Sequence, residues 1–343
     1  MTDFHKLIEM PEYDFLRENE HLGSRIMLLG LSGSYGYGTN REGSDVDFRG
    51  VALQRSSDLL GLTEFEQYVD DHTDTVVYGF NKLVRLLLEC NPNSCEILGL
   101  PREKYMIMSP LGAELLENQG LFLSKRAIRS YGGYANAQLR RLQNALARDA
   151  LPQRDRERHI LSSVQNAMDE FNQKNLKPGM GNARLYLDQA VTPGMEMEIF
   201  VDARWQHIPL RDYCSQMDVL RSVVRDYDRV GRREHPKDAN HLNKHAMHLI
   251  RLLMAGTDIM EKHRIIICRQ EELPLLLKIR SGDYMQEDGN LNPEFWEILD
   301  MYERKFQEAA EKTSLPDQPD MGRIGAFVEH VNRYAVMLDE MER

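Results

Sequence analysis

Apolar positions along the chain follow two periods, and together they predict a short set of strands followed by a long series of helices. Met27-Leu28-Leu29-Gly30-Leu31 is a continuous apolar run, as expected of a buried strand, and it breaks at Ser32-Gly33-Ser34. A Gly-rich polar loop ends in Ser44, and Asp45-Val46-Asp47-Phe48 then runs into Arg49-Gly50-Val51. The alternation predicts a strand with Asp45 and Asp47 on one face and Val46 and Phe48 on the core face. From Glu66 to Tyr78 the pattern predicts two strands around an acidic turn, with Asp74, Val76 and Tyr78 sharing a face. Phe80, Leu83, Val84, Leu87 and Leu88 then recur at helical spacing.

Beyond Asn91-Pro92-Asn93-Ser94, a helix stop and a new start, nearly every pattern is helical. Ser109 to Asn118 and Leu121 to Arg148 read as helices, the second with Tyr131, Tyr134, Leu139, Leu142 and Leu146 as core positions. Gly132-Gly133 within it predicts a break or a close helix crossing. Another helix is expected from Ile160 to Phe171, and a loop-rich insertion near 172–215, where Met195 to Val201 alternates like an exposed strand. Two amphipathic helices, from Pro293 to Lys312 and from Arg323 to Glu340, close the chain. The expected architecture is α+β: a mixed-sheet core over 1–110, then a mostly helical domain over 111–343.

The helix from about Asn240 to Glu261 carries chemistry as well as packing. His241, Lys244, His245, His248 and Arg251 form one polar stripe, while Leu242, Ala246, Leu249, Ile250 and Leu253 line the opposite face. Charge sharpens this reading. The protein is acidic, with a net charge of −11, yet Arg221 to Arg264 holds ten Lys/Arg against six Asp/Glu. A nucleic-acid or phosphate partner must therefore be met by a local basic patch and not by the overall field. The spacing of His241, His245 and His248 also suits zinc, although no motif glutamate lies nearby, and a solvated face is the plainer alternative.

Four cysteines, Cys90, Cys95, Cys214 and Cys268, show no C-x-x-C spacing, as expected of reduced thiols in a cytoplasmic protein. The charged first twenty residues do not read as a signal peptide, and no apolar run reaches membrane-spanning length.

Two carboxylates side by side on a strand repel unless a cation neutralises them, and an all-oxygen donor set suits Mg²⁺. Gly33-Ser34, the strand before it and Asp45-x-Asp47 on the strand after it resemble the signature of the DNA polymerase β nucleotidyltransferase superfamily. That superfamily includes poly(A) polymerases, CCA-adding enzymes and antibiotic nucleotidyltransferases. A narrower resemblance, to predicted nucleotidyltransferases of bacteria and their phages, rests on several further stretches. These are Val76-Val77-Tyr78, Asn91-Pro92-Asn93 with Glu96, Tyr134-Ala135-x-x-Gln138, Lys244-His245-Ala246-x-His248-x-x-Arg251-Leu252 and Leu276-Leu277-x-Ile279-Arg280-x-Gly282.

The resemblance implies an enzyme that moves an NMP from an NTP to an acceptor hydroxyl with release of pyrophosphate. It implies two Mg²⁺ ions held by Asp45 and Asp47, with Asp74 as the third carboxylate and Asp70 and Asp71 as its rivals. One ion would clamp the triphosphate and the other would lower the pKa of the attacking hydroxyl. Gly33, Ser34 and Ser44 are the expected nucleotide contacts from the core, and Lys244, His248 and Arg251 those from the helical domain. An RNA 3′ end is the acceptor the basic helix favours. A protein hydroxyl, a small molecule and a non-catalytic nucleotide-binding module stay open, as does the oligomeric state.

Overall fold

The computed structural model describes residues 3–149, 183–189, 191, 197–203, 205–207, 209–215, 217–218, 220–221 and 239–342. The chain divides into two compact units, 1–143 with 239–343, and 144–238. Two short helices, α1 (Phe4–Leu7) and α2 (Phe15–Glu18), lead into β1 (Ile26–Leu31), every residue of which is buried. After it come α3 (Gly33–Tyr37), β2 (Phe48–Ala52), α4 (Ser56–Leu60), β3 (Gln67–Asp70) and β4 (Thr75–Gly79). The core continues through α5 (Phe80–Leu88), α6 (Pro92–Leu98), β5 (Tyr105–Met108) and α7 (Pro110–Glu117), then α8 (Arg126–Asp149). The five strands form one mixed sheet in the order β3-β4-β2-β1-β5. Only β2 and β4 run parallel, with Phe48 opposite Thr75, and every other pair is antiparallel. This is an α+β fold with a helical C-terminal region.

β1 sits between β2 and β5, which take up its backbone edges, and its side chains are buried on both faces of the sheet, which is why the run is apolar throughout. Tyr13, Leu16, Ile26, Leu29, Phe48 and Val77 pack in one core layer that α1 and α2 help to cover. Helices α9 (Ala239–Lys262), α10 (Leu273–Ser281), α11 (Pro293–Lys312) and α12 (Met321–Glu342) complete the same unit. α8 runs without a break through Gly132-Gly133, and Phe306 of α11 stands 3.6 Å from where a Gly132 side chain would start. That is an ordinary contact distance, and Gly133 has nothing within 4 Å, so the pair marks neither a break nor a close crossing; the close approach to Phe306 is at Gly256 of α9, where a Cβ would stand 2.5 Å away. Tyr134, expected in the core, is 40% exposed, and its hydroxyl accepts instead from Asn91 Nδ2 at 3.2 Å.

The second unit contains the antiparallel pair β6 (Ala183–Gln189) and β7 (Met197–Ala203), and Trp205 meets Tyr213 edge to face. The helix expected from Ile160 to Phe171 lies outside the described residues. Among the described residues no helix is long and apolar enough to cross a membrane.

The structure corrects the strand assignments at both acidic motifs. β2 begins at Phe48, so Asp45 and Asp47 precede it; of the two, Asp47 is tied in, its carbonyl accepting from Ser32 N at 2.7 Å. Asp74 is likewise a turn residue with a left-handed backbone (φ 46°), and β4 begins only at Thr75. The Asp70 carboxylate causes this by accepting from His72 N, Thr73 N and Thr73 Oγ1, which closes a side-chain turn that the ladder cannot enter.

Candidate active site

The parallel register of β2 and β4 brings the residues before Phe48 and Thr75 together, and these are Asp47 and Asp74. Phe48 N donates to Asp74 O at 3.3 Å, and the two carboxyl groups share a hydrogen bond. Two carboxyl groups so close hold a proton between them. Burial, the hydrogen bond to Asp74 and its charge push Asp47 up to about 7, against the pull of Arg49 and Lys244. The hydrogen bond to Asp47, then Arg49 and Lys244, hold Asp74 below the usual carboxylate range, although partial burial opposes them. Arg49 also fixes the turn. Its Nη1 donates to Asp74 O at 2.6 Å and to Phe48 O at 2.9 Å, and its Nη2 reaches Asp74 Oδ1 at 3.0 Å.

Gly33 is positioned by the same pair. Its φ is 53°, and a Cβ there would stand 1.8 Å from Asp47 Oδ2. Only glycine permits both that backbone and that approach. Gly33→Ala is accordingly expected to displace the Asp47 carboxylate and to cost at least about 1–2 kcal/mol in backbone strain alone. Gly43→Ala has a similar φ of 78° with nothing within 4 Å, so it should show the strain cost without the loss of turnover. Urea unfolding and turnover of both variants check this, and equal turnover in the two would overturn it.

The remaining expected site residues fall into two groups. Ser34 opens α3 beside Gly33, while the Ser44 hydroxyl accepts from Arg41 N at 2.8 Å and closes the turn before Asp45. Asp45 is exposed, and among the described residues no three His, Cys, Asp or Glu side chains gather as a metal cluster. The structure thus brings Asp47 and Asp74 together and leaves Asp45 outside the pair. Of the rivals, Asp70 is committed to its own turn and Asp71 is exposed.

Along α9 the polar stripe sinks inward. Lys244 is exposed and acts on both Asp47 and Asp74, and His248 is half-buried. Arg251 is only 5% exposed. The expectation that Arg251 stands open to phosphate therefore meets a different placement. Its Nη1 donates to Glu96 Oε1 at 2.6 Å, its Nη2 to His248 Nδ1 at 2.6 Å, and its guanidinium lies 3.5 Å from the Tyr37 ring centroid. Burial, then Arg251 and His245, hold His248 down to about 3, so it is a neutral imidazole whose Nε2 carries the hydrogen. Gln138 Nε2 of α8 donates to His245 Nδ1 at 2.5 Å. Tyr37 and Lys104, which carry no motif signature, also belong here. The Tyr37 hydroxyl donates to Glu96 Oε2, and Lys104 Nζ donates to the Tyr35 and Gly36 carbonyls at 2.8 and 2.9 Å.

Residues 10–170 match the family described as RlaP, RNA repair pathway DNA polymerase beta family. The matched stretch holds the whole five-strand sheet, the Gly33 turn and the Asp47–Asp74 pair. The match supports assigning this stretch to the polymerase β-like nucleotidyltransferase superfamily. No curated protein and no solved structure matches it at comparable significance. Nucleotidyltransferases of this superfamily generally use divalent metal ions. The donor set here fits such an ion in part: Asp47 and Asp74 are hard oxygen donors, and the mutual repulsion that helps to push Asp47 up is what a cation between them would relieve.

Proposed function

We propose that the chain transfers an NMP from an NTP to the 3′ end of an RNA, with release of pyrophosphate. The observation that carries this reading is the Asp47–Asp74 carboxyl pair, abutted by the Gly33 turn and reached by Lys244. In the reaction the acceptor oxygen bonds to the α-phosphorus as the bond to the β-phosphate oxygen breaks, and the hydroxyl proton is released. Asp47 and Asp74, joined by Asp45 from its exposed loop, would hold Mg²⁺, which supplies charge stabilisation at the phosphates and a lower pKa for the attacking hydroxyl. Asp74, the more open member of the pair and ionised at neutral pH, is the carboxylate placed to take up the hydroxyl proton. Gly33 and Ser34 would bind the β,γ-phosphates, and Lys244 and neutral His248 would donate to phosphate or acceptor oxygens.

The RNA acceptor rests on the family description, which places that family in RNA repair, and on the basic stretch around α9. The test is incubation with each labelled NTP, Mg²⁺ and separate RNA, protein and small-molecule fractions. Label is expected in RNA, at 3′ termini; label in protein or in small molecules would overturn the acceptor. Lys244→Ala should raise the KM for NTP or RNA by about tenfold, ~1.4 kcal/mol, and should make the salt dependence of activity on RNA shallower. Unchanged kinetics for both substrates would remove Lys244 from the site.

A further inference from the structure

α3 is a helix that should not hold its shape alone. It has five residues, two of them glycine, and its N-cap Ser32 makes no side-chain capping bond. One turn of helix with two glycines lies well below the length at which helices sustain themselves in water. The turn that places Gly33 against Asp47 must therefore be shaped by contacts from outside it.

Those contacts converge from two sides. Lys104 donates to the carbonyls of Tyr35 and Gly36, at the negative end of the turn. On the other side, Glu96 of α6 accepts from the Tyr37 hydroxyl, and Arg251 of α9 both pairs with Glu96 and covers the Tyr37 ring. Tyr37 and Arg251 are buried, and the Glu96 side chain is 15% exposed.

An ion pair so deeply buried is a poor device for stability alone, because the desolvation of both charges offsets most of their attraction. Here one donor, Arg251 Nε, also has no partner among the described residues, a further cost. What the arrangement does supply is direction: three groups on three elements admit one placement of Tyr37.

The geometry points to Arg251 and Glu96 as positioning residues, which fix the Gly33–Ser34 turn against Asp47 from behind without touching nucleotide. This rests on the nucleotidyltransferase reading for its consequence, though not for its structural content. Altering Glu96 or Tyr37 then weakens nucleotide binding through the turn alone, whereas altering Arg251 also releases His248.

The test compares the full-length protein with Arg251→Lys, Glu96→Gln and the milder Tyr37→Phe. Amide hydrogen exchange reads the turn directly. Exchange at residues 33–39 is expected to quicken by about tenfold or more in each variant, while the amides of β1 and β2 keep their protection. The Kd for ATP, GTP, CTP and UTP with Mg²⁺ is expected to rise in parallel by about tenfold for the NTP that binds, with the KM for acceptor unchanged in Glu96→Gln and Tyr37→Phe, which keep Arg251 beside His248. Unchanged exchange at 33–39 in folded Tyr37→Phe overturns the positioning role, and so does faster exchange with unchanged nucleotide affinity. Wild-type protein that binds none of the four NTPs would instead sink the transferase reading, and the exchange data alone would then decide whether the clamp holds the turn.

Discussion

Asp47→Asn is expected to lower turnover by at least about a thousandfold, ~4 kcal/mol on the barrier, while leaving the protein folded. The loss follows from removing one of the two carboxylates available to hold cations beside the Gly33 turn. The same substitution should stabilise the metal-free protein at alkaline pH. Asp47 is raised to about 7 in the folded state from an ordinary value of 3.8, so between those values the native state holds a proton that the unfolded chain has released. Stability from this group is complete below about pH 4 and falls as pH rises through 7, where two close carboxylates become charged. Asp74, whose value is lowered, acts in the opposite sense and only in acid. An asparagine amide keeps a donor toward Asp74 and carries no charge, so the variant should melt above wild type at pH 8 and near it at pH 5. Added Mg²⁺ should raise the melting temperature of wild type and not of the variant. Turnover near wild type, or a variant that melts lower at pH 8, would contradict the assignment.

The second large effect is expected far from the carboxyl pair. Arg25, next to the first residue of β1, forms a buried ion pair with Asp339 of α12, with side chains 4% and 9% exposed. The other Asp339 oxygen accepts from Ser56 N, at the start of α4. One carboxylate thus joins the last helix to the start of β1 and to the start of α4. Asp339→Ala takes away the carboxylate that these two donors share, and breaking one side of a buried ion pair typically costs about 3–5 kcal/mol. Replacing both partners, as in Arg25→Met with Asp339→Leu, removes both charges and should recover most of that loss. Urea unfolding of the two constructions measures the difference, and a single-variant loss under about 1 kcal/mol would show the pair to be dispensable.

The periodic elements were legible from sequence because burial enforces them. β1 is apolar throughout since both faces of the sheet are buried there, and α9 alternates faces since one side packs. The proximity of Asp74 to Asp47 was legible too, but through the wrong local geometry: both carboxylates sit in turns that precede their strands. Extended residues before a strand share its alternation, so side-chain pattern alone cannot mark where the ladder starts. Arg251 illustrates a different limit. Its place on a polar stripe is visible, but the inward tilt that sinks the end of the stripe into the core is a property of packing against Glu96 and Tyr37. Lys104 left no trace in the sequence at all, because any lysine can reach a carbonyl and only the fold selects which one does.

The clamp behind α3 also has an order in time. Glu96 and Arg251 are 155 residues apart along the chain, and at about 5–20 residues per second of synthesis roughly 8–30 seconds separate their emergence from the ribosome. Through that interval β1 to β4, the carboxyl pair and Tyr37 already exist as polypeptide, with β5 following soon after Glu96, while the cation that orients Tyr37 does not. A growing chain therefore carries the acidic residues early and gains a fixed Gly33–Ser34 turn late, so the nucleotide site proposed above would mature only after α9 has been made.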